Sequence, residues 1–559
     1  MCGIFFSLSP TDHLIPTSST ERLLMNRGPD SFGKHQALVL PQLRATFIST
    51  VLSLRGNNIT TQPLRDQRAE SVLCWNGEAW KIGPDLVEGN DSQLVFDLFL
   101  QASSNASRDS SSSSIRQMVQ AVSTIRGPFA FVFYDAQNSC LYYGRDCLGR
   151  RSLLQKSTSV GELILSSVCD NASGDQWHEV DADGLYVLDL KCAATQKLEP
   201  IRIPHCRSGN EAAPGLALPL PFPSLNKSVP DGPHQPDLLN VQRLLGSLAK
   251  SLWLRIRRIR ESVIDSAESD TKIAILFSGG LDCTLLARLS HNALPLGAGV
   301  DLLNVAFENP RIHGTLGPGE SPYELCPDRI TGRTSHAELV RVCPNRRWRF
   351  VEINVPYSET MEHRTRVMTL MHPHNTEMDL SISYALYFAS RGIGLVRGNP
   401  NSPPRPYSTP AHVLLSGLGA DELFGGYQRH AVAFSRTGYP GLIDELELDF
   451  DRLGKRNLGR DDRVISDSGK EVRFPYLDED VIALALDLPV WAKCDFENGN
   501  LPDSDDPSRR LEPGKRILRL AAWNTGMKSV AAEKKRAIQF GSRTAKMETG
   551  RTKGTQVLS

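Results

Sequence analysis

The sequence predicts two domains of different class, a strand-rich α+β domain followed by a doubly wound α/β domain. Three observations carry this. The chain has 559 residues, more than the about 250–300 at which a single hydrophobic core stops growing. Up to about Leu190 it is punctuated by short apolar runs bounded by Gly, Asn and Asp, the pattern of buried strands. Further on, the apolar run 272–277 leads directly into Ser278-Gly279-Gly280-Leu281-Asp282-Cys283 and an apolar-periodic segment. Strand, glycine turn and helix in that order build a doubly wound sheet with its ligand at the strand's C-terminal end.

Along the chain, Met1-Cys2-Gly3-Ile4-Phe5-Phe6 is apolar but has no basic flank and is cut short by Ser7, Ser9 and Pro10, so it reads as a strand of the fold and not as a signal peptide. Residues 72–75, 129–134 and 185–188 read as further buried strands. The serine-rich stretch 103–114 is expected to be a solvated loop, since it has little apolar surface to bury. Between 207 and 236 seven prolines gather, at 214, 219, 221, 223, 230, 233 and 236, which disfavours regular elements and marks a linker. The first domain is therefore expected over 2–206 and the second over 237–530. An amphipathic helix is predicted over 238–264. The basic stretch 531–559, with Lys534, Lys535, Arg536 and Arg543, reads as a solvated tail.

Composition narrows the function. With 63 basic and 63 acidic side chains and a net charge of zero, nothing favours nucleic acid or an anionic membrane as partner. No apolar run is long enough to span a bilayer, which makes a cytoplasmic protein the default. The 11 cysteines are scattered without zinc spacing, so most are expected to be buried thiols that pack as small hydrophobes.

The clearest chemistry lies in the glycine turn. Ser278, Gly279 and Gly280 between a strand and a helix aim backbone N–H groups at one point and let a phosphate come close, while Asp282 suits a phosphate-bound Mg²⁺. Taken alone, a Gly-Gly turn beside an acid is mostly a turn. The whole string resembles the SGGxDS pyrophosphate loop of ATP pyrophosphatases, except that Cys283 replaces a serine and offers only a weak thiol donor.

Two longer strings extend the resemblance. Ser416-Gly417-Leu418-Gly419-Ala420-Asp421-Glu422-Leu423-Phe424-Gly425-Gly426-Tyr427 resembles the SGEGADELFGGY of asparagine synthetases, and residues 471–478 resemble their EVRVPFLD. The resemblance implies that Leu276 and Val305 contact adenosine and that Ser416 and Gly417 contact the ribose or α-phosphate region. It further implies that Asp282 and Asp421 hold Mg²⁺ at the pyrophosphate, with Ser278, Gly279, Gly280 and Cys283 forming the loop. Lys515 matches the KxxLR lysine that neutralises the leaving pyrophosphate. At the other end, Met1-Cys2-Gly3-Ile4 is similar to the start of class II glutamine amidotransferases, an Ntn-type αββα fold in which Met1 is removed. The free α-amine, with pKa near 8, then serves as base for the Cys2 thiol. By the same resemblance Asn76 and Gly77 form the oxyanion hole, and Glu78 and Asp91 hold glutamine. The closest form is the eukaryotic asparagine synthetase domain-containing branch, marked by Arg456-Asn457-Leu458-Gly459-Arg460-Asp461-Asp462-Arg463 and by residues 535–543.

The implied activity is a carbon–nitrogen ligase: glutamine, aspartate and ATP give asparagine, glutamate, AMP and pyrophosphate, with ammonia travelling inside the protein. Two departures keep alternatives open. Val51 stands where synthetases have the arginine that grips the glutamine carboxylate, a contact valine cannot make, so glutamine binding should suffer unless Arg55 reaches in. Leu418 stands where they have a glutamate beside the reacting carboxylate, removing acid–base help worth ~10²–10⁴-fold. A binding or scaffold protein derived from a synthetase, and a ligase for another carboxylate, both accommodate Leu418.

Overall fold

The structure, a computed structural model, describes residues 2–105, 111–158, 161–170, 177–191, 199–207, 216–232, 237–260, 270–314, 316–317, 319–399, 402–498, 510–547 and 554–558. The fold is mixed α/β, and the chain divides into two compact units. The first takes in Met1–Pro223, Thr369–His374 and Leu453–Gly469, and the second takes in the rest.

Two mainly antiparallel sheets stack in the first unit. One runs in the order His178–Glu179, Leu154–Ser157, Leu163–Ser166, Gly3–Ser9, Leu43–Val51, Ser31–Leu40. The other runs Leu218–Pro219, Ile201–Cys206, Gly184–Asp189, Cys140–Arg145, Phe129–Asp135, Val72–Gly77, Leu64–Arg65. Strand alternation explains why Phe129–Asp135 reads as a continuous apolar run. Ala130, Val132 and Tyr134 face Ile4, Phe6 and Leu8 of the first sheet, while Phe129, Phe131 and Phe133 face helices Ser92–Ser104 and Ser111–Thr124. Such a strand is covered on both sides, so both of its side-chain rows must be apolar.

The serine-rich stretch is not a loop throughout. Ser103 and Ser104 close the first of those helices and Ser111–Ser114 open the second, with Ser103 and Ser114 buried; residues 106–110 lie outside the described part. The stripe Ile115, Met118, Val119 and Val122, packed on the sheet, carries the serines along as its first turn, because burying an amphipathic face outweighs local composition. In the proline-rich stretch, Leu218–Pro219 pairs in parallel with His205–Cys206 as an edge strand, where a proline's missing donor costs no ladder bond.

In the second unit the sheet order is Arg405–Ser408, Ile393–Val396, Trp348–Val355, Gly299–Phe307, Thr271–Leu276, Val413–Leu415, Glu471–Arg473. The last five are mutually parallel, and Ile393–Val396 runs antiparallel to both of its neighbours. From Thr271–Leu276 the chain builds outward on one side and then crosses to add Val413–Leu415 on the other. This puts a topological switch point between these two strands, the place where open α/β sheets bind ligands. The helix predicted over 238–264 spans Leu238–Ile256, capped by the Asp237 side chain at Leu239 N; residues 261–269 are outside the described part. No helix among the described residues is long and apolar enough to cross a membrane.

Within the stretch expected to be a solvated tail, the segment around Ser542–Ala545 packs instead. Phe307 N donates to Ser542 O at 3.0 Å, and Asn309 Nδ2 donates to the carbonyls of Arg543 and Ala545 at 2.9 and 3.1 Å. These bonds satisfy backbone and amide groups at the C-terminal end of a central strand. A charge count over the basic stretch is blind to them.

Candidate active sites

In the first unit, Cys2 is buried at the head of strand Gly3–Ser9. Its backbone N donates to Asn76 Oδ1 at 3.0 Å, while Asn76 Nδ2 is buried without a hydrogen-bond partner. An orphaned amide N–H next to a thiol-bearing residue is costly in itself and suited to a developing oxyanion. Gly77 follows, and a Cβ there would lie 2.7 Å from Phe129 Cβ and 2.8 Å from Pro128 O, so no side chain fits between the paired strands. Gln62 Nε2 sits 4.0 Å from Cys2 Sγ, and Gln62 Oε1 accepts from Trp75 N at 2.7 Å.

Glu78 and Asp91 are both buried. Arg55 joins them: its Nη1 donates to Glu78 Oε2 at 3.1 Å and Ala79 O at 3.0 Å, and its Nη2 donates to Val87 O at 2.6 Å. Asp91 Oδ2 accepts from Trp75 Nε1 at 3.0 Å and Ala79 N at 2.7 Å. Burial pushes the Asp91 carboxyl up, and the Arg55 charge draws it only part of the way back. Val51 is buried at the end of its strand and its carbonyl accepts from Asp30 N at 2.9 Å, so the cation beside these carboxylates comes from Arg55.

In the sequence Asp462 stands out only as part of the 456–463 string that marks the family branch. Arg27 Nε donates to Cys2 O at 3.3 Å, its Nη1 to Ser466 Oγ at 2.5 Å and its Nη2 to Asp462 Oδ2 at 2.8 Å. Asp462 and Ser466 lie on helix Leu458–Ser466, whose nine residues are all buried. Asp462 also accepts from Ser152 N at 3.1 Å and sits 3.5 Å from Arg151 Nη1.

In the second unit the turn Ser278–Gly280 leads into helix Leu281–Ala293. Gly279 has φ +81°, and a Cβ there would lie 2.4 Å from Gly332 N, so both conformation and space demand glycine. Strand Val413–Leu415 leads on the other side of the switch point into Ser416 and Gly417, and a Cβ on Gly417 would stand 2.9 Å from Asp282 Cβ. Close packing of the two loops thus brings Asp282 and Asp421 onto one ammonium. Lys515 Nζ is 2.6 Å from Asp282 Oδ2 and 2.7 Å from Asp421 Oδ1. Lys515 itself has φ +55°, a left-handed conformation that costs a non-glycine residue about 1–3 kcal/mol and clusters at functional sites.

A second ammonium is present: Lys535 Nζ is 2.8 Å from Asp421 Oδ1. Burial pushes the Asp282 carboxyl up more than Lys515 lowers it. Burial acts on Asp421 in the same sense, but Lys515 and Lys535 together outweigh it and hold that carboxyl at about 2. Burial lowers the Lys515 ammonium, and the two carboxylates outweigh it, so its pKa is raised. Asp282 Oδ1 is buried and lacks a hydrogen-bond partner, which fits a hard cation. Among the described residues no three or more His, Cys, Asp or Glu side chains form a metal cluster. A metal here would rest on one or two carboxylates plus substrate phosphates, the usual Mg²⁺ arrangement.

The remaining predicted residues distribute around these loops. Leu276 ends the central strand and Val305 is buried in its neighbour Gly299–Phe307. Ser416 N donates to Arg473 O at 3.0 Å, and Ser416 Oγ accepts from the N–H of half-buried Leu418 at 3.3 Å. Cys283 Sγ lies 3.3 Å from Gly280 O and 3.6 Å from Ser278 Oγ, and burial raises its pKa. Its thiol is turned back onto its own turn.

A comparison with known proteins matches this chain at 35% identity over 99% of its length to the mouse asparagine synthetase domain-containing protein 1, of which 98% is covered. The chain belongs to the asparagine synthetase domain-containing protein family. A yeast member is 33% identical over 92% of this chain and 87% of its own length. The asparagine synthase family model matches residues 436–554, a span that includes Asp462, Lys515 and Lys535. More distantly, the glutamine-hydrolysing asparagine synthetase of golden hamster is 23% identical over 88% of this chain and 77% of its own length. The chain is therefore asparagine synthetase-like along most of its length.

Proposed function

We propose that this chain is a glutamine-dependent, ATP-driven carbon–nitrogen ligase whose acceptor is aspartate, built from a class II amidotransferase unit and an ATP-pyrophosphatase unit. The observation that carries the proposal is the group Asp282, Asp421 and Lys515, assembled at the switch point from three separate stretches of chain. Removal of Met1 turns Cys2 N into an α-amine, held by Asn76 Oδ1, that takes the thiol proton. The thiolate attacks the glutamine amide carbon, Asn76 Nδ2 and Gly77 N–H stabilise the oxyanion, and the α-ammonium returns its proton to the amide nitrogen, which leaves as ammonia while the thioester forms. Water then releases glutamate. Asp91, Glu78 and Arg55 orient the glutamine's charged end, with Arg55 in the role left open by Val51.

In the second unit the aspartate β-carboxylate attacks the α-phosphorus of ATP, and the bond to pyrophosphate breaks. Ammonia attacks the resulting acyl carbon and expels AMP. Mg²⁺, held by Asp282 and Asp421, would neutralise the phosphate charge. The Ser278–Gly280 N–H groups bind the polyphosphate, Leu276 and Val305 flank the adenosine, Ser416 and Gly417 meet the ribose side, and Lys515 follows pyrophosphate as it departs.

Leu418 favours a second reading, a binding protein without turnover, since its side chain moves no proton. One assay decides between them: pyrophosphate and asparagine are followed with aspartate, Mg²⁺–ATP and either glutamine or ammonium. Cys2→Ala should abolish the glutamine-dependent rate and leave the ammonium-dependent one. Absence of product from both nitrogen sources, with ATP bound, would leave the binding protein.

A further inference from the structure

We infer that Lys535 is a second polyphosphate-binding cation of the ATP site, presented by the segment after helix Lys528–Ala532. The inference rests on the reading of Asp282, Asp421 and Lys515 as that site.

Lys515 is already shared between two carboxylates at 2.6 and 2.7 Å. Lys535 adds its own charge at 2.8 Å from Asp421 Oδ1 and lies 4.2 Å from the centre of the Tyr427 ring. Tyr427 closes the same motif that contains Asp421, and its hydroxyl donates to Glu422 Oε1 at 2.6 Å, so the ring that carries the ammonium is itself held. A lysine over an aromatic face is attracted by the ring's negative face, which favours one resting place for an otherwise flexible side chain.

The backbone leading to Lys535 is fastened to the backbone leading to Lys515 by one guanidinium. Arg519 Nε donates to Gly514 O at 2.9 Å, and its Nη1 donates to Ala531 O and Glu533 O, both at 2.7 Å. Beyond Lys535, Arg536 Nη1 donates to Thr331 Oγ1 at 3.0 Å, on the helix whose Gly332 abuts Gly279 of the phosphate turn. Lys535 is therefore bracketed by an anchor to the Lys515 helix and one to the turn. Its side chain stays 29% exposed, able to leave a carboxylate for a phosphate. A divalent cation held by Asp282 and Asp421 would take over their charge and leave both ammoniums available to an entering anion.

The test titrates Mg²⁺–ATP, Mg²⁺–pyrophosphate and AMP into the full chain and into Lys535→Gln, Lys535→Met and Lys535→Arg, with thermal unfolding of each. Loss of one charge-assisted contact should weaken ATP and pyrophosphate about tenfold or more in the Gln and Met variants. AMP affinity should stay unchanged, Tm should fall no further than loss of one partly exposed ion pair allows, and Arg should restore most of the loss. If Lys535 is only a counter-ion for Asp421, removing it makes the carboxylate pair more negative and Mg²⁺–ATP binds equally well or more tightly. That result overturns the inference while leaving the ATP site standing. A parent chain that binds no Mg²⁺–ATP overturns both.

Discussion

Replacing Asp462 with Asn removes a negative charge from a place where two guanidiniums have been buried around it. Arg27 Nη2 is 2.8 Å away with side-chain exposures of 1% and 0%, and Arg151 Nη1 is 3.5 Å away with both side chains at 0%. Breaking a buried pair by removing one partner costs about 3–5 kcal/mol, because the remaining charge has neither water nor a counter-ion. For a unit of this size each kcal/mol lowers Tm by roughly 2–4 °C, so the transition of the first unit should fall by about 6–20 °C. Calorimetry on the full chain measures it, with Glu447→Gln as the control. That pair, Lys227 to Glu447, is equally short at 2.7 Å but 57% and 23% exposed, and its loss should cost about 1 kcal/mol or less. Equal, small shifts in both variants would refute the argument that burial, not distance, sets the worth of these pairs. Since Arg27 also holds Cys2 O, Asp462→Asn should further reduce glutamine hydrolysis more than ammonium-dependent turnover.

Leu418→Glu should raise asparagine formation at saturating ammonium, by no more than ~10²–10⁴-fold, with ATP affinity unchanged; a fall in rate would point to an apolar part of a different acceptor packed on Leu418. Asp328, buried at the start of helix Pro327–Val342, is held at about 7 because burial outweighs the opposing charge of Arg536. Its folded-state pKa exceeds the unfolded one, so its contribution is complete below about pH 4 and is lost as pH rises through about 7. Asp328→Asn should therefore stabilise the chain more at pH 8 than at pH 5, by about 3 kcal/mol at most, since only the two pH units between 5 and the folded-state value contribute. A pH-independent difference in denaturation midpoint would remove Asp328 as its source.

What the sequence determined by itself was local. The turn at Ser278–Gly280 was legible because a strand, glycines and a helix start are contiguous in the chain, and the backbone that cradles a phosphate is contiguous with them. The strand Phe129–Asp135 was legible because both faces are apolar. Asp282 was nominated by its place beside the glycine turn, but Asp421 and Lys515 only through family motifs, since no spacing rule joins residues so far apart. Tertiary structure alone decided which partners each would have. Arg27 and Asp462 are 435 residues apart in the chain and meet because helix Leu458–Ser466 is built into the first compact unit. Lys535 looked like one charge in a basic tail until hydrogen bonds to Arg519, Phe307 and Asn309 fixed the backbone on either side of it. The physical reason is the same in both cases. A charged side chain in sequence carries no sign of burial, and whether it is a solvated charge or a site residue depends on which opposite charges the folded chain brings within about 3 Å of it.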